Sequence, residues 1–134
     1  MLKKINHIGI AVASLDEAIP FYQHNLGMTF VGVEVVGEQM VKVAFLQIGE
    51  SKIELLEPTS AESPIARFLE KNGPGVHHLA YEVEDIEDAI NRLEQDGVRM
   101  VDRTPRSGAH GARIAFVHPK NSGGVLTELC QSGH

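Results

Sequence analysis

The chain has one cysteine and no tryptophan, and aromatic residues make up only 5% of it. A lone thiol, Cys130, excludes an intrachain disulfide framework and suits a reducing compartment. Set in an apolar strand, Cys130 reads as a small buried group. Cations are also scarce: 12 Lys and Arg stand against 18 Asp and Glu, a formal net charge of −6. Non-specific nucleic-acid binding needs clustered cations that displace phosphate counterions, so nucleic acid is not an expected partner. No apolar run approaches the roughly 18 residues that carry a helix across a bilayer, so no membrane association is expected. Lys3 and Lys4 are followed by Asn6 and His7, without the apolar core and cleavage pattern of a secretory signal. The expected compartment is the cytoplasm.

What is present is a repeat. At 134 residues and 43% apolar content the chain fits one domain with a real core, spanning 1–134. Within it, Asn6-His7-Ile8-Gly9-Ile10-Ala11-Val12 is echoed by Val76-His77-His78-Leu79-Ala80-Tyr81-Glu82-Val83, with His7 and His78 71 residues apart. Each reads as a strand, and alternation places His7, Gly9 and Ala11 on one face and Ile8, Ile10 and Val12 on the other. A capped amphipathic helix follows each. In the first copy Ser14-Leu15-Asp16-Glu17 is a capping box. The helix runs to about Asn25, with Leu15, Ala18, Ile19, Tyr22 and Leu26 inward, a bend at Pro20 and a stop at Gly27.

Short β-rich runs at 29–36, 40–48 and 52–56 come next, broken by turns at Gly37-Glu38 and Gly49-Glu50-Ser51. Module one, 1–58, is therefore β-α-β-β-β. Ser63-Pro64 opens a connector helix within 59–75 that ends near Gly73-Pro74-Gly75. Module two, 76–134, repeats the order: a strand at 76–83, a helix capped by Asp85 and stopped by Gly97, and strands at 98–102, 112–118 and 124–131. The segment 104–111 between them reads as a long loop holding His110 among small residues.

A second correspondence lies at the last strand of each module. Lys52-Ile53-Glu54-Leu55-Leu56 aligns with Leu126-Thr127-Glu128-Leu129-Cys130, so Glu54 answers Glu128. A lone strand histidine is more often structural than a ligand, but two His and two Glu at equivalent places form a more demanding pattern. If the modules pair about a pseudo-twofold axis, His7, Glu54, His78 and Glu128 converge. Two imidazoles and two carboxylates suit a six-coordinate divalent cation such as Co²⁺, Ni²⁺, Mn²⁺ or Zn²⁺.

These repeated modules and their His and Glu residues resemble the vicinal oxygen chelate superfamily, which includes glyoxalase I, extradiol dioxygenases and methylmalonyl-CoA epimerases. The segments Ser63-Pro64-Ile65-Ala66, Gly75-Val76-His77-His78, Gly108-Ala109-His110-Gly111, His118-Pro119-Lys120 and Gly124-Val125-Leu126-Thr127-Glu128-Leu129 are similar to its methylmalonyl-CoA epimerase branch. The resemblance implies an α+β fold in which two paired β-α-β-β-β modules form a curved, barrel-like mixed sheet around a metal-centred cleft. It implies one divalent ion per site, an acyl-CoA substrate and a homodimer. The implied reaction is epimerisation of methylmalonyl-CoA at C2, by proton abstraction and return through a metal-stabilised enolate.

Glu128 is the first candidate for the general base. Some epimerases place a second acid/base on a middle strand of module one. The corresponding run Met40-Val41-Lys42-Val43-Ala44-Phe45 offers Lys42 and no carboxylate, which leaves Lys42 and Glu54 as candidates. His110, Arg113 and Lys120 are candidates for substrate binding. His77 points away from His78 by alternation and reads as structural. His24, His118 and His134 carry no argument for catalysis, and the acidic residues Glu84, Asp85, Glu87, Asp88 and Glu94 read as a solvated helix face. The alternatives are a glyoxalase I-type lactoylglutathione lyase, which would use the same four ligands, and a non-catalytic small-molecule-binding module of the same fold.

Overall fold

Alternating Ile, Val and small residues make Leu2–Ala11 a strand, β1, and the chain then runs α1 (Leu15–Pro20), β2 (Thr29–Val36), β3 (Val41–Ile48), β4 (Ser51–Pro58), α2 (Pro64–Asn72), β5 (Gly75–Val83), α3 (Ile86–Gln95), β6 (Arg106–Ser107), β7 (Arg113–Val117) and β8 (Thr127–Gln131). The computed structural model describes residues 1–133, so His134 lies outside the described residues. The strands form one mixed eight-stranded sheet in the order β2-β3-β4-β1-β5-β8-β7-β6. With three α-helices beside this sheet, the fold is of the expected α+β class. The chain divides into two units, His7–His77, and Met1–Asn6 with the chain from His78 onward.

In the His7–His77 unit, β1 runs parallel to β4, and β4, β3 and β2 are antiparallel neighbours. One sheet face buries Ala44, Leu46 and Leu55 against Leu15 and Val12, with Ile19, Tyr22 and Phe30 packed beside them. Ser14 starts α1 as expected, its Oγ accepting from Glu17 N at 3.3 Å, and Leu15 N donates to Glu57 Oε1 at 2.8 Å. Pro20 cannot donate to the carbonyl one turn back. The helix therefore continues as a wider π turn over Phe21–Asn25, closed by Leu26 N on Phe21 O at 2.9 Å. That wider turn rotates Leu26 out of the expected inner stripe, and it is exposed. Gly27 then ends the element at φ +78°.

The connector helix α2 is capped by Ser63, whose Oγ accepts from Ile65 N at 3.1 Å, with Pro64 at the first helical position. His77 stacks edge-on against Phe68 of α2 with centroids 5.1 Å apart, which supports its structural reading.

In the second unit β5 runs parallel to β8, and β8, β7 and β6 are antiparallel neighbours. Ile86, Ala89 and Ile90 of α3 pack on Ala115, Val117 and Leu129 of the sheet. The helix start repeats that of α1: Asp85 Oδ1 accepts from Asp88 N at 3.1 Å, and Gln131 Oε1 accepts from Ile86 N at 2.9 Å. Gln131 thus does for α3 what Glu57 does for α1.

Two expectations change here. Residues 98–102 are not a ladder strand and make one isolated bridge, Met100 to Val117. Val101 N and Asp102 N both donate to Phe116 O, and the Asp102 carboxylate takes Phe116 N at 2.9 Å, so a side chain occupies the place of a ladder partner. Conversely, Arg106 and Ser107 of the expected loop form β6 against Ile114 and Arg113. The true loop shrinks to a tight turn in which Gly108 N donates to Ala112 O at 2.8 Å and His110 takes φ +56°.

Glu82 is a buried carboxylate with a full set of partners. Asn6 Nδ2 and Ser132 Oγ donate to its Oε1 at 2.9 and 2.8 Å, and Lys3 Nζ lies 3.5 Å from Oε2. Burial pushes its carboxyl up, but the bonds from Ser132 and Asn6, with the charge of Lys4 and the contact of Lys3, outweigh this and hold it below the ordinary range. A carboxylate lowered on folding stabilises the fold above its unfolded pKa and loses that contribution as pH falls through the folded value. Glu82→Gln is expected to cost about 1–3 kcal/mol at pH 7. It should also flatten the loss of stability below pH ~4.5, the ordinary value. Urea melts of both proteins across pH 7 to 3 check this, and parallel curves would contradict it.

Candidate active site

Strand register brings His and Glu together in the same way in each unit. In the first, Glu54 on β4 lies opposite Gly9 of β1. His7, two residues before Gly9, shares its face. The His7 Nδ1 lies 3.1 Å from Glu54 Oε2. In the second, Glu128 on β8 lies opposite Ala80 of β5, and His78 is again two residues earlier. The His78 Nε2 lies 3.2 Å from Glu128 Oε1. Gly9 and Ala80 are the small residues directly across from each glutamate, and they leave its side chain room to lean toward the histidine.

All four side chains are buried, Glu54 at 8% exposure and Glu128 at 4%. Each glutamate also faces an aromatic ring on its antiparallel side, Phe45 opposite Glu54 and Phe116 opposite Glu128. The Phe116 ring meets His78 edge-on at 5.6 Å. A carboxylate kept among apolar rings is costly unless it is paired or ligates a metal. In each pair the partner is an imidazole, a ligand that intermediate divalent ions favour. His7, His78 and Glu128, all buried, are donors that could hold a metal ion. The donor chemistry therefore fits the divalent cation implied by the sequence.

Comparison with known proteins follows the same line. The model of the Glyoxalase/Bleomycin resistance protein/Dioxygenase superfamily matches residues 6–116. The ethylmalonyl-CoA/methylmalonyl-CoA epimerase of Cereibacter sphaeroides is 43% identical over 133 residues, covering 98% of this chain and 99% of that one. The chain belongs to this superfamily, in its methylmalonyl-CoA epimerase branch. The branch is one of isomerases. Its structural likeness is close. The methylmalonyl-CoA epimerase of Mycobacterium tuberculosis superposes with a TM-score of 0.96 at 41% identity, covering 99% of this chain and 90% of that one. A methylmalonyl-CoA epimerase in complex with methylmalonyl-CoA and NH4+ gives 0.95 at 42% identity, covering 99% and 96%.

Lys42, the candidate second acid/base, is exposed and lies opposite Glu57, on the β3 face that carries Ala44 and Leu46. Glu54 lies opposite Phe45, on the other face. Arg113, a candidate substrate contact, occupies the same position in β7, on the helix side with Ala115 and Val117, and pairs with Glu87 at 3.2 Å. Lys120 is an exposed residue of a 3-10 turn whose backbone N donates to His118 Nδ1 at 3.0 Å. His110 is exposed in its left-handed turn.

Sequence reasoning passed over Phe45 and Phe116. The signal was available, since they are 71 residues apart, the spacing of His7 and His78. It also passed over the Asp102–Arg106 pair, whose contact depends on a loop turning into β6.

Proposed function

We propose that the chain interconverts the C2 epimers of methylmalonyl-CoA in a reaction that depends on one divalent cation. The observation that carries this reading is the His–Glu pair repeated in the same register in both units, in a chain whose relatives along its whole length include epimerases. His7, Glu54, His78 and Glu128 would hold the ion, of which Co²⁺, Zn²⁺, Ni²⁺ and Mn²⁺ suit the donors. When bound, it would supply Lewis acidity toward the thioester carbonyl and carboxylate of the substrate and so acidify the C2 proton.

The proton work falls to the chain's own carboxylates. Glu128, once released from the ion, would accept the C2 proton, and Glu54, likewise released and protonated, would return one to the opposite face, which inverts the carbon. The two carboxyls then stand with their protonation exchanged, ready for the opposite epimer or for resetting by solvent. Phe45 and Phe116, beside the two glutamates, limit the water that could quench the deprotonated carbon. The acyl-CoA is the expected partner. We further propose a cytoplasmic location, in keeping with a chain that has a single cysteine, and a homodimer, for which edge strand β2 offers the exposed row Val31, Val33 and Val35.

The test is to incubate the metal-loaded protein with methylmalonyl-CoA in D₂O and follow C2 deuteration by NMR beside a chelated control. Exchange that disappears with the metal is expected. Absence of exchange, together with turnover of the glutathione hemithioacetal of methylglyoxal, would replace the epimerase reading with the glyoxalase one.

A further inference from the structure

Arg106 of β6 lies opposite Ile114 of β7, and Ile114 shares its face with Phe116, the residue opposite Glu128. Arg106 is therefore on the Glu128 side of the sheet, whereas Arg113 is on the helix side. Its guanidinium carbon lies 5.7 Å from the centroid of the Phe116 ring, and that ring is the one that meets His78. Asp102 fixes the arrangement from behind. One of its oxygens takes Arg106 Nε at 3.2 Å, and the other takes the backbone N of Phe116 at 2.9 Å. Nε and the ring face thus hold the planar group, and its Nη end is left to make the paired donation that suits a carboxylate or phosphate. The side chain remains 43% exposed, so a ligand can reach it.

An exposed ion pair by itself contributes little to stability, commonly under about 1 kcal/mol. Asp102 does more than pair, because it couples the guanidinium to the strand that carries Phe116. From this placement we infer that Arg106 receives an oxyanion of the thioester substrate and so selects for an anionic acyl-CoA. The inference rests on the epimerase reading for the identity of the substrate. The oxyanion has two sources, the acyl carboxylate and the phosphates of the carrier.

Calorimetric titration of the metal-loaded protein and its Arg106→Gln and Arg106→Lys variants tests this with three probes. These are methylmalonyl-CoA, propionyl-CoA, which lacks the carboxylate, and the methylmalonyl thioester of N-acetylcysteamine, which lacks the phosphates. Arg106→Gln is expected to weaken methylmalonyl-CoA binding by about tenfold or more with an unchanged melting midpoint, and Arg106→Lys to recover only part of it. A loss shared with the cysteamine thioester and absent with propionyl-CoA assigns the carboxylate, and the reverse assigns the phosphates. Binding of all three probes within twofold of wild type in both variants overturns the inference. Wild-type protein that binds methylmalonyl-CoA without exchanging C2 would sink the epimerase reading and leave Arg106 standing. Wild-type exchange with indifferent Arg106 variants would do the opposite, and no binding by wild type would overturn both.

Discussion

Glu128→Gln is expected to lower C2 proton exchange by about a thousandfold, within the range that loss of a positioned general base produces. The amide keeps the size of the carboxylate and can still hydrogen-bond His78, 3.2 Å away in the native pair. It cannot take a proton from carbon. The fold should survive, because Glu128 is held between Phe116 and Ala80 by strand register as much as by its charge. Exchange in D₂O, measured beside a thermal melt, checks both halves. A folded variant that exchanges at the wild-type rate would remove Glu128 as the base.

The second large effect is expected from His78→Ala. This removes an imidazole donor and leaves Glu128, 4% exposed, without the histidine 3.2 Å away. Loss of supporting groups around a metal already costs ten- to about a hundredfold in affinity, so loss of a ligand should exceed about a hundredfold. Removing the imidazole beside a buried carboxylate should also cost about 1–3 kcal/mol of stability in the metal-free protein. His77→Ala is the matched control. His77 is adjacent in sequence but packs on Phe68, and its removal should leave metal affinity unchanged. Competition titration with a chromophoric chelator reads the affinities, and equal metal binding by the two variants would contradict the assignment.

Much of this arrangement was legible in the sequence because it is local and periodic. Ser14, Ser63 and Asp85 mark their helix starts through short-range bonds, and the structure has all three caps. His7 and Glu54 could be tied together because their equivalents, His78 and Glu128, recur at nearly the same spacing. What the sequence hid depends on register between distant strands. Lys42 and Glu54 look equally available in one dimension, yet the register of β3 with β4 puts Lys42 beside Glu57 on the helix face. Residues 98–102 have strand composition, but the Asp102 carboxylate takes the place of a ladder partner and the strand is made by Arg106 and Ser107. That exchange also carries Arg106 to Phe116, a contact no local pattern announces.

The central claim is that one glutamate from each repeat works on one substrate carbon, and Glu54→Gln with separate epimers of methylmalonyl-CoA tests it most directly. Both C2 wash-out into D₂O and inversion would be followed for each epimer. With Glu128 intact, the variant is expected to wash out the C2 proton of one epimer at a rate near wild type, while inversion falls about a hundredfold or more. A metal-loaded Glu54→Gln variant that inverts both epimers at the wild-type rate would contradict the account.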